Sequence, residues 1–211
     1  MQSRRYGIAF TIPLALVALF AAVRGNDTSV AAADTQEITV TLGAPDTRTS
    51  AEREGDSLRR SLQFGEAIEA YSDDLERGGL DKGDAREIRY NIGLCRLWLG
   101  EYDKAEAAFE SLIADCPDDG NAVGYCRYCL AWMAVQRGEY HAALATLNET
   151  IAGGGVTDTE LAARLLFMTG RIRLAFLNDP VSARPIFRRV GAEYPETRIA
   201  AHPFVTAQTG N

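Results

Sequence analysis

The sequence predicts an all-α fold, an α-solenoid of about four antiparallel helix pairs that follows an N-terminal hydrophobic segment. Three observations predict it. Apolar residues recur at helical spacing over most of the 211 residues. A pattern of small and large residues repeats about every 38 positions. Polar, glycine-rich stretches separate the repeats, at 78–84, 118–122 and 153–158.

The clearest repeat covers residues 86–119. It contains two apolar-periodic runs that are separated by a turn at Gly100 and end before Pro117. Gly93 is small where a neighbouring helix must approach closely, and Phe109 is large enough to fill the space beside it. This stretch therefore predicts two helices packed against each other.

The pattern recurs in phase along the chain. Four alanines, spaced by 38, 38 and 40 residues, each precede a large residue by four places: Ala67 and Tyr71, Ala105 and Phe109, Ala143 and Leu147, Ala183 and Phe187. Small residues of the first helices keep nearly the same spacing: Gly55, Gly93, Ala131 and Gly170. The phase predicts a repeat domain over 48–197, divided into 48–81, 86–119, 124–157 and 163–197.

Capping signals predict where helices begin. A capping side chain followed three places later by an acid satisfies amides that otherwise lack a partner, and proline suits the first helical position. These signals are Thr49 with Glu52, Asp84 with Glu87, Thr157 with Glu160, and Asp179 before Pro180. In the last repeat, Leu177 stands where the other repeats have the turn glycine.

Residues 86–119 resemble a tetratricopeptide repeat, whose signature has Leu-Gly followed by Tyr, Ala, Phe and Pro at these offsets. The resemblance implies a TPR superhelix and a non-catalytic scaffold or adaptor that binds a protein or peptide. The ending at 193–205 is similar to joints in exported bacterial proteins of this family. Residues 198–211 are assigned to a tail, which is predicted to be frayed after Pro203.

The N-terminus has the layout of a secretory signal. Arg4 and Arg5 precede an uncharged run at 8–23, which is shorter than the roughly 20 residues of a spanning helix. Residues 1–25 are therefore predicted to be a signal peptide or membrane anchor, and 26–47 a flexible linker. The expected location is extracytoplasmic or periplasmic, in a bacterial cell envelope, with the inner membrane contacted only through an uncleaved N-terminal segment.

The family resemblance also implies a ligand groove. In this family the first helix of each repeat lines a concave surface through positions 2, 5, 9, 12 and 13. Carried over to this chain, the groove residues are Arg59, Arg60, Tyr90, Leu94, Trp98, Tyr125, Tyr128, Trp132, Arg164, Phe167 and Arg171. Aromatic and arginine side chains are common binding anchors, so this set favours a peptide that carries apolar residues and some acids. The alternative is that the aromatic residues belong to the core.

No catalytic constellation is evident in the sequence. His141 and His202 lack a nucleophile or acid motif beside them. The glycines at 153–155 lack the strand and the Lys-Ser/Thr ending of a phosphate-binding loop. The sequence therefore predicts neither an enzyme nor a cofactor or metal site.

The four cysteines leave several readings open. An exported chain with an even cysteine count favours disulfides, here Cys116 with Cys126 and Cys95 with Cys129. Small buried side chains are the alternative. A second function class also remains, a redox or metal-binding thiol protein that uses the C-x-x-C of Cys126 and Cys129.

Net charge limits the partners. The formal charge is −7, and removal of residues 1–25, with three arginines and no acids, gives −7 − 3 = −10. An acidic body repels nucleic acid and anionic lipid, so neither is an expected partner. A protein or peptide ligand is expected, and a homo-oligomer built by self-association through the open repeat ends is a third hypothesis.

Overall fold

The computed structural model of the chain describes residues 49–209. These residues belong to one compact unit. The predicted signal or anchor at 1–25, the linker at 26–47 and the final residues 210 and 211 lie outside the described residues. Within residues 49–209 every element of regular secondary structure is a helix, which confirms the all-α prediction.

Four consecutive helix pairs build the solenoid, and a short helix follows them. The helices are α1 (Ser50–Arg60), α2 (Phe64–Arg77), α3 (Lys82–Trp98), α4 (Tyr102–Asp115), α5 (Gly120–Gln136), α6 (Tyr140–Ala152), α7 (Thr159–Arg171), α8 (Pro180–Glu193) and α9 (Pro203–Thr209). Each helix packs on the next one along the chain, and the first helices α5 and α7 also contact each other. Consecutive pairs therefore stack as the repeat pattern predicts.

A small residue of the first helix faces a large ring of the second helix within each pair. A Cβ atom placed on Gly55, Gly93 or Gly170 would lie 2.5–2.8 Å from the ring that packs on it. Those rings belong to Tyr71, Phe109 and Phe187, which are fully buried. The third pair has Ala131 and Leu147 at the same positions, both fully buried. The predicted pattern of small and large residues therefore corresponds to the packing between the two helices of each pair.

The turns between paired helices share one backbone feature. Gly100 and Gly138 have φ values of 75° and 80°, and Leu62 and Asn178 have 63° and 52° at the equivalent places. Glycine adopts this left-handed conformation without steric cost, and asparagine tolerates it better than most residues. Asn178 therefore occupies the turn position that the sequence analysis assigned to Leu177, and that assignment is corrected.

One extra residue in the fourth pair explains the shift of the repeat spacing. Gly93 precedes its turn residue by seven places, whereas Gly170 precedes Asn178 by eight. The insertion lies in a π-helical turn at Ile172–Phe176, which continues α7. Widening a helix to π geometry accommodates one additional residue without ending the helix.

Capping aspartates begin α3, α5 and α7. Asp81, Asp119 and Asp158 each accept a backbone N–H of the first turn at 2.7–3.0 Å. These helices start four residues before the repeat boundaries predicted at 86, 124 and 163. The predicted caps at Asp84 and Thr157 are therefore wrong, because a better placed aspartate precedes the first and follows the second.

The other two predicted caps are confirmed. Thr49 forms a capping box with Glu52 at the start of α1. Asp179 accepts the Ser182 N–H at 3.0 Å, and Pro180 occupies the first position of α8. Both signals combine the cap with a compatible first turn, so the local sequence was sufficient to place them.

Ring pairs join consecutive repeats beside the turns. The rings of Phe64 and Trp98 stack at 5.9 Å between centroids, and those of Tyr140 and Phe176 stack at 4.7 Å. Each pair joins the residue two places after one turn to the residue two places before the next turn. The equivalent residues in the middle of the solenoid are Tyr102 and Gln136. We call the two observed contacts the turn-edge ring pairs.

The C-terminal segment packs against the fourth pair. Val205 of α9 is buried, and Phe204 lies 5.1 Å from Phe187 and 6.3 Å from Phe167 between ring centroids. The prediction of fraying after Pro203 is therefore wrong for residues 204–207, because Phe204 and Val205 pack against α7 and α8. No helix among residues 49–209 is long and apolar enough to span a membrane.

Candidate functional site

The first helices place their side chains against one another, and this surface is the candidate site. The Tyr90 and Tyr125 rings are 6.1 Å apart, and the Tyr90 hydroxyl is 3.3 Å from Cys129 Sγ. Tyr128 lies in the electrostatic neighbourhood of Arg164 and Arg171. The structure therefore brings together residues that the repeat register assigned to one face. We call this face of α1, α3, α5 and α7 the inner surface.

Four predicted groove residues are buried. Tyr90, Leu94, Tyr125 and Phe167 are each less than 10% exposed. Tyr125 donates its hydroxyl to Asp158 Oδ2 at 2.8 Å. These side chains pack neighbouring repeats together and do not line an open surface, so their assignment as ligand contacts is corrected.

Phe167 shows why the register alone misassigned such residues. Its ring contacts Phe187 within the pair, at 5.9 Å between centroids, and both Phe204 and His202 from the C-terminal segment. The segment after α8 thus covers a position that the repeat pattern leaves open. The sequence of the fourth repeat contains no pattern that predicts this cover.

Four of the predicted groove residues are half-buried and lie in the third and fourth pairs. Tyr128 and Trp132 are on successive turns of α5, and Arg164 and Arg171 are on α7. Burial raises the pKa of Tyr128, and the two arginines oppose that rise. This cluster of two aromatic and two cationic side chains keeps the character that the sequence predicted.

The two arginines have different surroundings. Arg164 Nε donates to Glu160 Oε1 at 3.3 Å, one turn earlier on the same helix. The Arg171 guanidinium carbon lies 5.9 Å from the Phe167 ring centroid, within cation–π range. Burial lowers the pKa of Arg171, and Tyr128 counters part of that effect. A guanidinium that is partly removed from water interacts strongly with a carboxylate.

An acidic group lies at the other end of the inner surface, and the sequence analysis missed it. Glu52 of α1 is 3% exposed, and burial together with Glu87, Asp84 and Asp56 raises its pKa to about 7. Its occurrence at the same repeat position as Tyr90 and Tyr128 was the available signal.

The remaining predicted residues lie towards the turns. Arg59 donates to Asp56 Oδ1 at 3.3 Å and to the Tyr71 hydroxyl at 3.4 Å, so it belongs to the packing of the first pair. Arg60 is exposed and donates to the Asp56 carbonyl at 3.2 Å. Trp98 belongs to a turn-edge ring pair. These three are not part of the Tyr128 and Trp132 cluster.

All four cysteines are buried free thiols, so the predicted pairs Cys116 with Cys126 and Cys95 with Cys129 are not formed. Cys116 Sγ instead donates to the Leu112 carbonyl at 2.7 Å. Burial raises the pKa of Cys95 and of Cys129 to about 12, and the pKa of Cys126 further still. The thiolate needed for redox or metal chemistry is therefore strongly disfavoured.

The other polar candidates have structural surroundings. His141 is exposed on α6, and His202 Nδ1 accepts the Phe204 N–H at 3.2 Å. The glycine-rich loop at 153–155 packs against the start of α5 at Gly120. In residues 49–209, His, Cys, Asp and Glu side chains form no group of three or more that could hold a metal ion.

Comparison with known families identifies the repeats. Two family models, both described as tetratricopeptide repeat, match the chain, one over residues 52–120 and the other over residues 164–197. No curated protein matches the chain. The pair α5 and α6 lies mostly between the matched ranges and has the same turn geometry and buried alanine as its neighbours.

Proposed function

Because the chain belongs to the tetratricopeptide repeat family, whose repeats are in general protein interaction scaffolds, we propose that it is an adaptor that binds a peptide segment along its inner surface. Members of this family are typically non-catalytic. The binding site in this proposal consists of Tyr128, Trp132, Arg164 and Arg171, on α5 and α7.

One observation carries this proposal. Tyr128 and Trp132 remain partly accessible although most large apolar side chains of the first helices are buried. Both lie beside a helix that supplies two arginines. Partly exposed aromatic residues next to arginine are the composition found at binding hot spots, because they bury much area at a small loss of rotamer freedom.

A capture experiment with matched variants tests the proposal. The wild type, the double variant Tyr128→Ala, Trp132→Ala and the control Tyr102→Ala are immobilised and exposed to an envelope extract. Tyr102 is an exposed aromatic residue at a turn, away from the inner surface. Partners captured by the wild type and the control, but lost at least tenfold by the double variant, support the site. Equal capture by all three proteins contradicts it.

Captured proteins are then produced separately and titrated against the same three variants. This step separates specific binding from adhesion to the matrix. Circular dichroism of each variant checks that the helices are retained.

We also propose an extracytoplasmic location, with residues 1–25 either cleaved as a signal or kept as a membrane anchor. The support is the charge and hydrophobicity layout of the N-terminus. The mass of the protein isolated from its native membrane and soluble fractions tests this. A full-length protein in the cytoplasmic fraction contradicts it.

Self-association is a second candidate function. Leu62, Leu99, Tyr102 and Val181 are exposed large apolar residues, all at or near the turns. Light scattering over a range of protein concentrations tests this candidate, and a monomer at the highest concentration contradicts it.

A further inference from the structure

The inner surface changes in charge from one end of the solenoid to the other. At the fifth repeat position, successive repeats have Glu52, Tyr90, Tyr128 and Phe167. At the ninth position they have Asp56, Leu94, Trp132 and Arg171. The fifth position therefore changes from acidic to aromatic along the solenoid, and the ninth changes from acidic through apolar to basic.

Second-position residues extend this order. Glu87 belongs to the second repeat, Tyr125 to the third and Arg164 to the fourth. Glu87 and Arg164 are half-buried on the first helices α3 and α7. The charge gradient therefore includes half-buried side chains of the inner surface.

We propose that the peptide segment bound by this surface carries a charge gradient opposite to that of the surface. The acidic end of the peptide lies at α7, its apolar centre at α5 and its basic end at α1 and α3. The inference rests on the proposed function and specifies the chemistry and orientation of its ligand.

At the α7 end of the inner surface, two arginines can hold a carboxylate of the ligand. The Arg171 guanidinium is half-buried and its carbon lies 5.9 Å from the Phe167 ring centroid, within cation–π range. Arg164 is oriented by its contact with Glu160. An acidic side chain of the ligand gains more from a partly desolvated, pre-positioned guanidinium than from a mobile one in water.

At the α1 and α3 end of the inner surface, acidic side chains lie close to one another. Glu52 is surrounded by Glu87 and Asp84 of α3 and by Asp56 of its own helix. Asp56 is engaged by the Tyr71 hydroxyl at 2.6 Å and by Arg59, whereas Thr49 links the start of α1 to Asp74 of α2. Glu52 itself is buried, whereas Glu87 and Asp84 are half-buried, so a cationic side chain bound beside these two reduces the repulsion between α1 and α3, which favours lysine or arginine there.

The dimensions suit a short extended peptide. Each repeat advances by about one helix diameter, about 10 Å, so three steps from α1 to α7 span about 30 Å. Nine extended residues have a similar length at about 3.3 Å each. One peptide of this size reaches both ends of the gradient.

A positional-scanning library of nonapeptides, applied to the purified full chain, tests the proposal. We expect acids to be enriched about tenfold over lysine and arginine near one terminus of the bound peptides, and the reverse near the other terminus. Apolar residues should be enriched in between. The terminus at which acids occur then defines the direction of the bound chain.

Two charge variants assign the ends. Arg164→Gln with Arg171→Gln should abolish the enrichment of acids and leave the enrichment of bases at the other terminus. Glu87→Gln with Asp84→Asn should do the opposite. The control is Arg184→Gln with Arg188→Gln, which removes two exposed arginines of α8 and should change neither enrichment.

The outcomes separate this inference from the function on which it rests. If peptides bind without a charge preference, or if the preference survives both inner-surface variants, the polarity is wrong and the adaptor function stands. If no peptide in the library binds to the folded chain, both proposals are wrong. Thermal unfolding of each variant identifies any loss of binding that is due to unfolding.

Discussion

At the scale of single residues, the ring that packs on each first helix determines which small residue can stand there. Gly93 faces the Phe109 ring so closely that even one methyl group would lie within 2.8 Å of it. The third pair accepts a methyl at Ala131 because Leu147 replaces the ring. The two positions are therefore coupled, because the size of the side chain at one determines the space left at the other.

We predict that Gly93→Ala destabilises the protein by about 1–3 kcal/mol, because the new methyl overpacks against a fully buried ring. Phe109→Leu alone should cost about 1 kcal/mol. The double variant copies the third pair and should be more stable than the sum of the single losses predicts. Denaturant unfolding of all four proteins measures the coupling.

Gly65→Ala serves as the matched control for this cycle. A Cβ at Gly65 of α2 has no neighbour within 4 Å, so only helix propensity changes. We expect a gain of about 0.5–1 kcal/mol. Equal effects of Gly65→Ala and Gly93→Ala would contradict the packing argument.

Glu52 predicts an unusual dependence of stability on pH. Burial and the surrounding acids raise its pKa from 4.5 to about 7. Between these values the folded protein holds a proton that the unfolded chain has released. The contribution of Glu52 to the free energy of unfolding therefore falls as the pH rises from about 4.5 to about 7, and is constant above that range.

Glu52→Gln should remove this dependence and stabilise the protein at pH 8, on the order of 1–3 kcal/mol. Glutamine retains the capping box and carries no charge. Unfolding curves at pH 5 and pH 8 measure the effect. Glu54→Gln removes the same charge from an exposed position of α1 and should leave the pH dependence as it is in the wild type.

At the scale of helices, the turn-edge ring pairs join each second helix to the next first helix. They occur between the first and second repeats and between the third and fourth, through Trp98 and Phe176. Between the second and third repeats, Tyr102 is 39% exposed and Gln136 occupies the partner position. This joint has the ion pair of Arg137 with Glu106 at 2.6 Å, whose side chains are 36% and 35% exposed, so water screens it and it contributes little.

We predict that Gln136→Trp completes the missing ring pair and stabilises the protein by about 0.5–1.5 kcal/mol. The reason is that position 136 has the same relation to Tyr102 as Trp98 has to Phe64. Thermal unfolding measures the gain. The same substitution in a Tyr102→Ala background should give no gain, and an undiminished gain there would show that tryptophan acts elsewhere.

At the scale of the whole molecule, the solenoid is held by contacts between neighbours, so each end needs its own cover. At the C-terminal end, α9 supplies it by packing Phe204 and Val205 on the fourth pair. This arrangement links the last helix to the stability of α7 and α8. Among residues 49–209, the ring contacts of Phe204 are with Phe167 of α7 and Phe187 of α8.

We predict that Phe204→Ala costs about 1–3 kcal/mol locally and raises amide hydrogen exchange in α7, α8 and α9. Exchange in α1–α4 should stay at the wild-type rate, because coupling in a repeat protein passes from neighbour to neighbour. Hydrogen exchange with mass spectrometry resolves the two regions. A uniform increase along the chain would show that the molecule unfolds as one cooperative unit.

The repeat architecture could be predicted from the sequence because its determinants are local. Gly93, Ala105 and Phe109 lie within 17 residues of one another, and the geometry of two packed helices requires small and large residues at those offsets. The caps at Thr49 and Asp179 were predictable for the same reason. The family, the helix pairs and their number therefore follow from the chain itself.

Tertiary structure alone decided which inner residues are accessible. Tyr90 and Tyr128 occupy the same place in consecutive repeats, yet Tyr90 is buried and Tyr128 is half-buried. Phe167 is covered by residues that lie 35 or more positions away. Exposure is a property of the neighbours that surround a side chain, and repeat position specifies only the direction in which it points. Helix pairing was thus determined by the sequence, whereas the extent of the open surface was decided by how the pairs and the last helix pack.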